Sequence, residues 1–450
     1  MSTALLLAGV VLGLLCPVGA SAGGFSSARF VSPKGELVDD GAGVAINKQG
    51  RLAVAWIAGI VRGRLLIRDE LQARVGQVGR RLAPVQRLAR RGVEVLQPAV
   101  AVGADGTAIV GWIETLGHGR ERVRVAVAGP GHRFAPAQTI SEGRGRLEIR
   151  GLTIDANGRA VLVWAQSQTD GVEIRYALRP RHGEFQGLDS GIRAWGNAGV
   201  QTGVDGRSGD LLIGWVAPLG DPGESNQDFM ASLSPDATTF SQPVPLPEAT
   251  SGSFVFASGP GGAGYGYESP RAHNNLQLRL VPRNADGSLG PAQDIALARL
   301  RGVGFLLGPF INQAQSGATV AVWDITQAPN GDNSDVVSKS KVLAAFRPAR
   351  SQTFDIPRTL SPSSAIAEYT ASALVGDRTV VVWRESGPDE RPPVRLVYRT
   401  IGAYGTITPG AVLPGAFQAT VRLASNTRHA VAVWFAFNGI SRLRLAIYTP

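Results

Sequence analysis

Cysteine is almost absent from this chain. Its one copy among 450 residues, Cys16, lies in an N-terminal segment with the features of a signal peptide. After removal of that segment no thiol remains, which excludes a cysteine nucleophile and any need for disulfides. Cysteine usage therefore leaves the redox compartment of the protein open.

Long hydrophobic runs are also scarce. The apolar run Leu5–Leu15 is too short to cross a bilayer as a mature helix. Pro17 and the small-residue triplet Ala20-Ser21-Ala22 follow it, as at a secretory cleavage site. We therefore predict a signal peptide over residues 1–22, cleaved after Ala22, and a secreted or extracytoplasmic protein. Residues 1–4 carry no basic residue, which is atypical, and lipidation of Cys16 stays open.

Charged residues are few, at 18%, and they are unbalanced, with a formal net charge of +10. Such a charge favours anionic surroundings, unless it reflects an arginine-rich proteome. Nine arginines concentrate in Arg62–Arg91, which predicts an anionic partner surface there. Because this span lacks interleaved aromatic residues for base stacking, nucleic acid is not predicted as a partner.

Known catalytic and cofactor motifs are missing as well. The five histidines are scattered, without zinc-ligand spacing, and no nucleophile elbow, phosphate-binding loop or dinucleotide fingerprint occurs. Asn330–Asp335 is rich in oxygen atoms but lacks the spacing and terminal glutamate of an EF-hand loop. The sequence therefore predicts no cofactor and no metal site.

What the chain does contain is a repeat. The stretch Val102–Trp112, VGADGTAIVGW, joins a short apolar segment, a turn with glycine, and an alternating segment that ends on tryptophan. Equivalent anchors recur at intervals of 51 to 60 residues. They are Trp56, Trp112, Trp164, Trp215, Tyr267, Trp323, Trp383 and Trp434. A period near fifty is long enough for four short strands with turns.

Each repeat continues with a second alternating run and a proline-containing outer segment, as in a four-stranded antiparallel meander. The last repeat lacks its fourth strand at the C-terminal end, whereas Phe25–Ser32 carries that signature before the first anchor. The sequence therefore predicts an all-β fold: an eight-bladed β-propeller over residues 23–450, with residues 25–32 completing the last blade. A seven-bladed ring with one degenerate repeat and an open β-solenoid are the alternatives.

The repeat resembles those of secreted bacterial β-propellers and is loosely similar to the Asp-box repeats of the sialidase superfamily. The Asp-Gly turn at Asp105-Gly106 and the tryptophan six residues later carry this likeness. An Asp box lies between the third and fourth strands, whereas this turn is predicted between the first and second. The resemblance therefore implies architecture, and no catalytic residue of that family is carried over.

Candidate site residues are those predicted on the face where the longer loops surround the central channel. The ligand-binding candidates are Glu114, Glu268, Asp324, Arg384, Glu385 and Arg150. Gln97, Glu368 and Tyr369 are predicted near the channel mouth.

Two functions remain open at this point. The first is a secreted, non-catalytic module that binds a cell-surface glycan or protein. We expect this module to be a monomer. The second is a sialidase-like glycoside hydrolase or lyase in which two of the carboxylates flank one glycosidic bond. A purely scaffolding propeller is a third. The anchors themselves favour packing between blades over ligand stacking, because eight equivalent copies suit a structural role.

Overall fold

The computed structural model describes most of the chain after the predicted signal peptide. The described residues are 23–34, 36–62, 65–89, 93–168, 171–194, 200–218, 226–232, 240–242, 244–246, 254–271, 275–299, 304–327, 339–387, 394–413, 420–437 and 441–450. The signal peptide predicted over residues 1–22, with Cys16, lies outside them, as does the oxygen-rich stretch Asn330–Asp335.

The described residues form strands and turns, with no helix among them, and the strands group into eight blades. Blade 1 consists of β3 (Leu37–Ile46), β4 (Arg51–Arg62), β5 (Leu65–Gln77) and β6 (Gln86–Arg87). Blade 2 consists of β7 (Glu94–Val102), β8 (Ala108–Gly117), β9 (Arg120–Ala128) and β10 (Gln138–Arg144). Blade 3 consists of β11 (Leu147–Ile154), β12 (Ala160–Gln168), β13 (Gly171–Arg179) and β14 (Gln186–Ala194). Blade 4 consists of β15 (Val200–Val204), β16 (Leu211–Pro218), β17 (Asn226–Ser232) and β18 (Val244–Pro245).

The second half of the chain repeats this order. Blade 5 consists of β19 (Phe254–Gly259), β20 (Gly262–Arg271), β21 (Asn275–Pro282) and β22 (Gln293–Arg299). Blade 6 consists of β23 (Gly304–Gln313), β24 (Thr319–Gln327), β25 (Lys339–Arg347) and β26 (Arg358–Thr359). Blade 7 consists of β27 (Ile366–Val375), β28 (Arg378–Ser386), β29 (Arg395–Ile401) and β30 (Ala411–Leu413). Blade 8 consists of β31 (Val421–Ser425), β32 (Ala430–Phe437) and β33 (Ser441–Thr449), with β1 (Gly24–Phe25) and β2 (Arg29–Phe30).

Within each blade the consecutive strands pair antiparallel, and the N-terminal strands complete blade 8. Gly24 pairs with Thr449 in the β1–β33 ladder, and Arg29 pairs with Leu445 in the β2–β33 ladder. This confirms the predicted propeller blades and the exchange of the outer strand in the last one. One parallel bridge between Ser258 and Asn312 links blades 5 and 6.

In blades 1 to 7 a glycine lies in the turn between the first and second strands, whereas the turn of blade 8 has Asn426 and no glycine. Gly50, Gly106 and Gly158 have φ values of 81°, 89° and 81°, which a residue with a Cβ adopts only with strain. The turn closes with a backbone hydrogen bond, for example from Gly106 N–H to the Gly103 carbonyl at 2.9 Å. We call the end of the blades that carries these turns the turn end. The opposite end, where second strands run into third strands, is the loop end.

Among the described residues the apolar core forms eight clusters, and each cluster is shared by two neighbouring blades. The cluster between blades 8 and 1, for example, contains Trp56 together with Val433 and Leu443. All eight anchors are buried in these clusters, and each shares its cluster with residues of the preceding blade. The anchors are therefore packing residues, and the stacking of a ligand on them is excluded for this structure.

One detail of the repeat differs from the prediction. The sequence pattern ends each second strand at its anchor, but every second strand continues for three to six residues further. Polar residues after the anchor stay in the strand because their side chains find hydrogen-bond partners there, in the same blade for Glu114, Glu385 and Arg384 and in the next blade for Asp324.

The first strands of the blades line a common space, which we call the channel. In blades 1, 2, 3, 6 and 7 the pairing of the first strand with the second shifts at a bulge opposite the anchor. These bulges re-aim side chains near the loop end of the channel. Among the described residues, no helix is long and apolar enough to cross a membrane.

Candidate functional site

The five candidates that stand one or two residues after the anchors lie in strands rather than in loops, which corrects the predicted loop position. Glu114 lies in β8, Glu268 in β20, Asp324 in β24, and Arg384 and Glu385 in β28. All five are buried, with Glu114 only 1% and Asp324 0% exposed. They are therefore part of the blades, not of a solvated loop surface.

Glu114 and Glu385 occupy equivalent positions and make the same set of contacts. Trp112 Nε1 donates to Glu114 Oε1 at 2.9 Å, and Arg122 on the next strand bonds Glu114 Oε2 at 2.6 Å. In blade 7, Trp383 Nε1 donates to Glu385 Oε1 at 2.9 Å, and Arg395 bonds Oε2 at 3.0 Å.

This arrangement follows from strand geometry. Residues two apart on a strand share a face, so each glutamate lies beside its own anchor. The arginine comes from the strand directly across the antiparallel pair, where Glu114 is in register with Arg122 and Glu385 with Arg395. Each carboxylate thereby ties the anchor to the third strand, and the two glutamates serve separate blades.

The other three candidates directly follow their anchors and so point to the opposite face of the second strand. Asp324 Oδ2 accepts a hydrogen bond at 3.3 Å from the backbone N–H of Thr370 in blade 7. Arg384 donates to the Glu368 carboxylate, its partner in the β27–β28 register. Glu268 is buried in β20, in register with Leu278.

The bulge of β27 brings Tyr369 next to this ion pair. Tyr369 has a φ of 54°, a left-handed conformation that is uncommon for an aromatic residue, and 45% of it is exposed. The Arg384 guanidinium lies 5.7 Å from the centre of its ring, within the range of a cation–π contact. Glu368, Tyr369 and Arg384 thus form a polar group on blade 7.

The sixth candidate, Arg150, lines a cavity of about 630 Å³ among the first strands of blades 1, 2, 3 and 8. The charged side chains in its described lining are Arg150 and Arg422, and no carboxylate, histidine or tyrosine is among them. Arg150 Nη2 bonds Glu148 at 2.8 Å, whereas Arg422 is exposed. Apolar side chains such as Leu96 and Ile149 complete the wall.

Gln97 shapes one side of this cavity. It lies at the bulge of β7 with a φ of 51°, and its Oε1 accepts a 2.8 Å hydrogen bond from the Ile149 N–H of blade 3. The bulges of β7 and β11 therefore place an amide and a guanidinium beside each other at the channel mouth. This mouth, rather than the carboxylates beyond the anchors, is the candidate site.

A second cavity, of about 620 Å³, lies among the first strands toward the turn end and touches all eight blades. Its polar residues hold the turns. Asn426 Nδ2 donates to the Asn47 carbonyl at 2.7 Å, and Asn47 Nδ2 donates to the Gly103 carbonyl at 2.8 Å. Burial raises the pKa of Asp205, but hydrogen bonds from the Arg207 N–H and from Arg283 outweigh it, so that this pKa is lowered overall.

The basic span Arg62–Arg91 is described only in part: residues 63–64 and 90–91 lie outside the described residues, and the side chains of 60–69 are not described. Arg80, Arg81 and Arg87 are exposed, and Arg87 bonds the buried Glu70 at 2.8 Å. Burial chiefly lowers the pKa of Arg74, the neighbouring charge of Arg81 adds to this, and Glu36 opposes it. In the part of the chain that the structure describes, no group of three or more His, Cys, Asp or Glu side chains could hold a metal ion.

No protein-family model matches the chain. No curated protein matches it either. Among solved structures, the polysaccharide lyase Uly1 is similar at 11% identity with a TM-score of 0.49, covering 94% of this chain and 99% of the other. An α-L-arabinofuranosidase of Fusarium graminearum is similar at 9% identity with a TM-score of 0.40, covering 94% and 98%. A protein of unknown function from Dyadobacter fermentans is similar at 11% identity with a TM-score of 0.42, covering 94% and 99%. At such identities no residue role transfers to this chain.

Sequence reasoning missed Arg422, which no motif marks, and the structural use of the glutamates. A signal for the latter does exist. Trp-x-Glu occurs at Trp112 and again at Trp383, and an arginine stands at the facing position of the next strand in both repeats.

Proposed function

We propose that this protein is a secreted, non-catalytic binding module whose ligand occupies the 630 Å³ cavity at the loop end of the channel. Its size lies within the range of small-molecule and oligosaccharide pockets. One observation carries the proposal: the charged side chains of the described lining, Arg150 and Arg422, are both cationic.

The chemistry of the wall indicates the ligand class. Guanidinium groups recognise carboxylates through paired N–H donors. The Gln97 amide and the apolar side chains around it suit the hydroxyl groups and faces of a sugar ring. We therefore propose a cell-surface glycan that carries a carboxylate as the ligand.

The positions of the buried acids support binding rather than hydrolysis. A glycosidase needs two carboxyl groups on either side of one bond, roughly 5 to 10 Å apart. Glu114 and Glu385 are each engaged by a tryptophan and an arginine within their own blade. Asp324 receives a backbone N–H from the next blade.

The test is a glycan array that compares uronate-containing oligosaccharides with neutral ones, followed by titration of the hits. Arg150→Gln should weaken binding of an acidic glycan about tenfold, equivalent to about 1.4 kcal/mol. Arg181→Gln is the matched control, since Arg181 is an exposed arginine of the same blade at the turn end. Equal binding by wild type and Arg150→Gln, or no response to any glycan, would remove the proposal.

A glycoside hydrolase or lyase is the second candidate, and the polar group of blade 7 favours it. Backbone strain at an exposed tyrosine beside an arginine–glutamate pair is a feature often found at catalytic sites. Incubation of the same glycans with the protein should then release product, and Tyr369→Phe should abolish release while Arg150→Gln retains it. If the glycans are unchanged after long incubation, the hydrolase or lyase function fails and only the binding function remains.

A further inference from the structure

A groove of about 820 Å³ lies between blades 5 and 6 at the turn end, away from the channel-mouth cavity. The outer turns of these two blades form much of its wall, at Arg283–Asn284 and Arg350–Thr353. Arginines dominate the lining: Arg207, Arg279, Arg283, Arg347 and Arg350.

Carboxylates neutralise only part of this charge. Arg279 bonds Asp294 at 2.9 Å. Arg283 bonds Asp205 at 2.7 Å and Asp210 at 2.9 Å. The groove and its ion pairs thus combine five arginines with three aspartates, a net charge of +2.

The remaining positive charge lies at Arg347 and Arg350. Among the described residues, no carboxylate forms an ion pair with either of them, whereas Arg207 lies 3.6 Å from Asp205. A cationic groove of this kind has a preference for anions that does not depend on the net charge of the whole chain.

Arg347 is the decisive residue, because it is only 6% exposed. Its Nη2 donates to Thr319 Oγ1 at 2.7 Å, its Nη1 donates to Gln293 Oε1, and Phe354 lies 5.6 Å from its guanidinium carbon. These partners are neutral, and burial lowers the pKa of its guanidinium. A buried charge without a counter-ion is costly, so an anion bound nearby would recover part of that cost.

The surroundings also hold Arg347 in place. Gln293, which accepts from it, donates through Nε2 to Gln352 Oε1 at 2.8 Å. Three residues after Arg347, Arg350 is exposed and adopts a φ of 65°. The groove therefore presents a fixed, buried guanidinium with a second, solvent-accessible one at its rim.

We propose that this groove binds an oxyanion, a phosphate or sulfate group that is either free or esterified to a sugar. Arg347 supplies the buried charge, and Arg350 and Arg207 supply accessible N–H donors. A guanidinium matches the oxygens of such groups through paired hydrogen bonds. The volume of the groove exceeds that of one anion and leaves room for an attached ring.

The test is isothermal titration of the full protein with sodium phosphate, sodium sulfate and glucose 6-phosphate, with sodium chloride at matched ionic strength as the baseline. Wild type should bind the oxyanions, and Arg350→Gln should bind them about tenfold more weakly. Arg133→Gln is the matched control, an exposed arginine in the corresponding outer turn of blade 2, and should bind like wild type.

Arg347→Gln provides the second variant. It should abolish binding, while its melting temperature without oxyanion stays the same or rises, because an uncompensated buried charge has been removed. If this variant does not fold, weaker oxyanion binding by Arg350→Gln and Arg207→Gln still tests the proposal. Tighter binding of glucose 6-phosphate than of phosphate identifies the esterified ligand, and equal binding identifies the free ion.

No heat beyond the chloride baseline, or equal affinity in wild type and Arg350→Gln, would overturn the proposal. Arg150→Gln should bind the oxyanions with the affinity of wild type. The test of this groove is therefore independent of the function proposed for the channel mouth.

Discussion

Blades 2 and 7 use their anchor differently from blades 1 and 8. In the first pair the indole N–H is bonded to a glutamate two residues later, Glu114 or Glu385. In the second pair that position is Ala58 or Ala436, and among the described residues the buried Nε1 atoms of the two tryptophans have no acceptor.

The comparison shows what the anchor needs and what is added to it. Burial of the indole between two blades suffices to hold it, as blades 1 and 8 demonstrate. The glutamate adds a link to the third strand through Arg122 or Arg395. The sequence suggests Glu114 and Glu385 as candidate catalytic carboxylates. In the structure each one instead connects its tryptophan to the third strand.

The largest expected effect is the loss of stability in Glu114→Gln, which should exceed the loss in Glu385→Gln. Glu114→Gln should cost about 2 kcal/mol of unfolding free energy, since the Arg122 side chain is only 20% exposed and would lose its counter-ion. Glu385→Gln should cost about 1 kcal/mol, because Arg395 is 48% exposed and water can replace the lost partner. Urea denaturation of both variants measures the difference, and equal losses would contradict this account.

A smaller effect should separate the two kinds of anchor. Trp383→Phe and Trp56→Phe remove similar volume, but only the first leaves a buried carboxylate oxygen without its donor. Trp383→Phe should therefore be less stable than Trp56→Phe by about 1 kcal/mol. Thermal unfolding of the two variants, with Trp434→Phe as a second member of the blade 1 type, tests the ranking, which a reversed order would refute.

The smallest effect concerns pH in blade 8. Burial lowers the pKa of His429, and the charge of Arg428 lowers it further. The folded state therefore favours neutral His429, and this contribution to stability is complete above the ordinary pKa of 6.5 and is lost as the pH falls below it. His429→Gln should show a shallower loss of melting temperature between pH 7 and 5. A loss as steep as that of wild type would show that His429 does not contribute.

Much of the fold could be predicted because its cause is local. The anchor recurs in all eight repeats and the glycine turn in the first seven. The turn predicts a backbone conformation and the anchor predicts burial, and neither depends on distant parts of the chain. The exchange of the outer strand was also visible, since Phe25–Ser32 carries the signature that the last repeat lacks.

The candidate site was predicted less well because its causes are not local. Glu114 is predicted to be solvated, but it is buried and bonded by Trp112 and by Arg122 of the neighbouring strand. The bulges at Gln97 and Tyr369 have no sequence signal of their own. Arg347 is singled out because it is buried and, in the described part of the chain, forms no ion pair with a carboxylate. Convergence of side chains from several blades can only be read from coordinates.

The strand exchange in blade 8 has a consequence for how the molecule comes apart. In an open array of repeats the terminal unit frays first, because it has one neighbour. Here β33 lies between β32 and the strands β1 and β2, and Arg442 bonds the carbonyl of Ser32, 410 residues earlier. When the N-terminal strands β1 and β2 detach, β33 loses its pairing on that side, and when β33 detaches, β1 and β2 lose theirs. Local opening at one end of the chain therefore opens the other end as well.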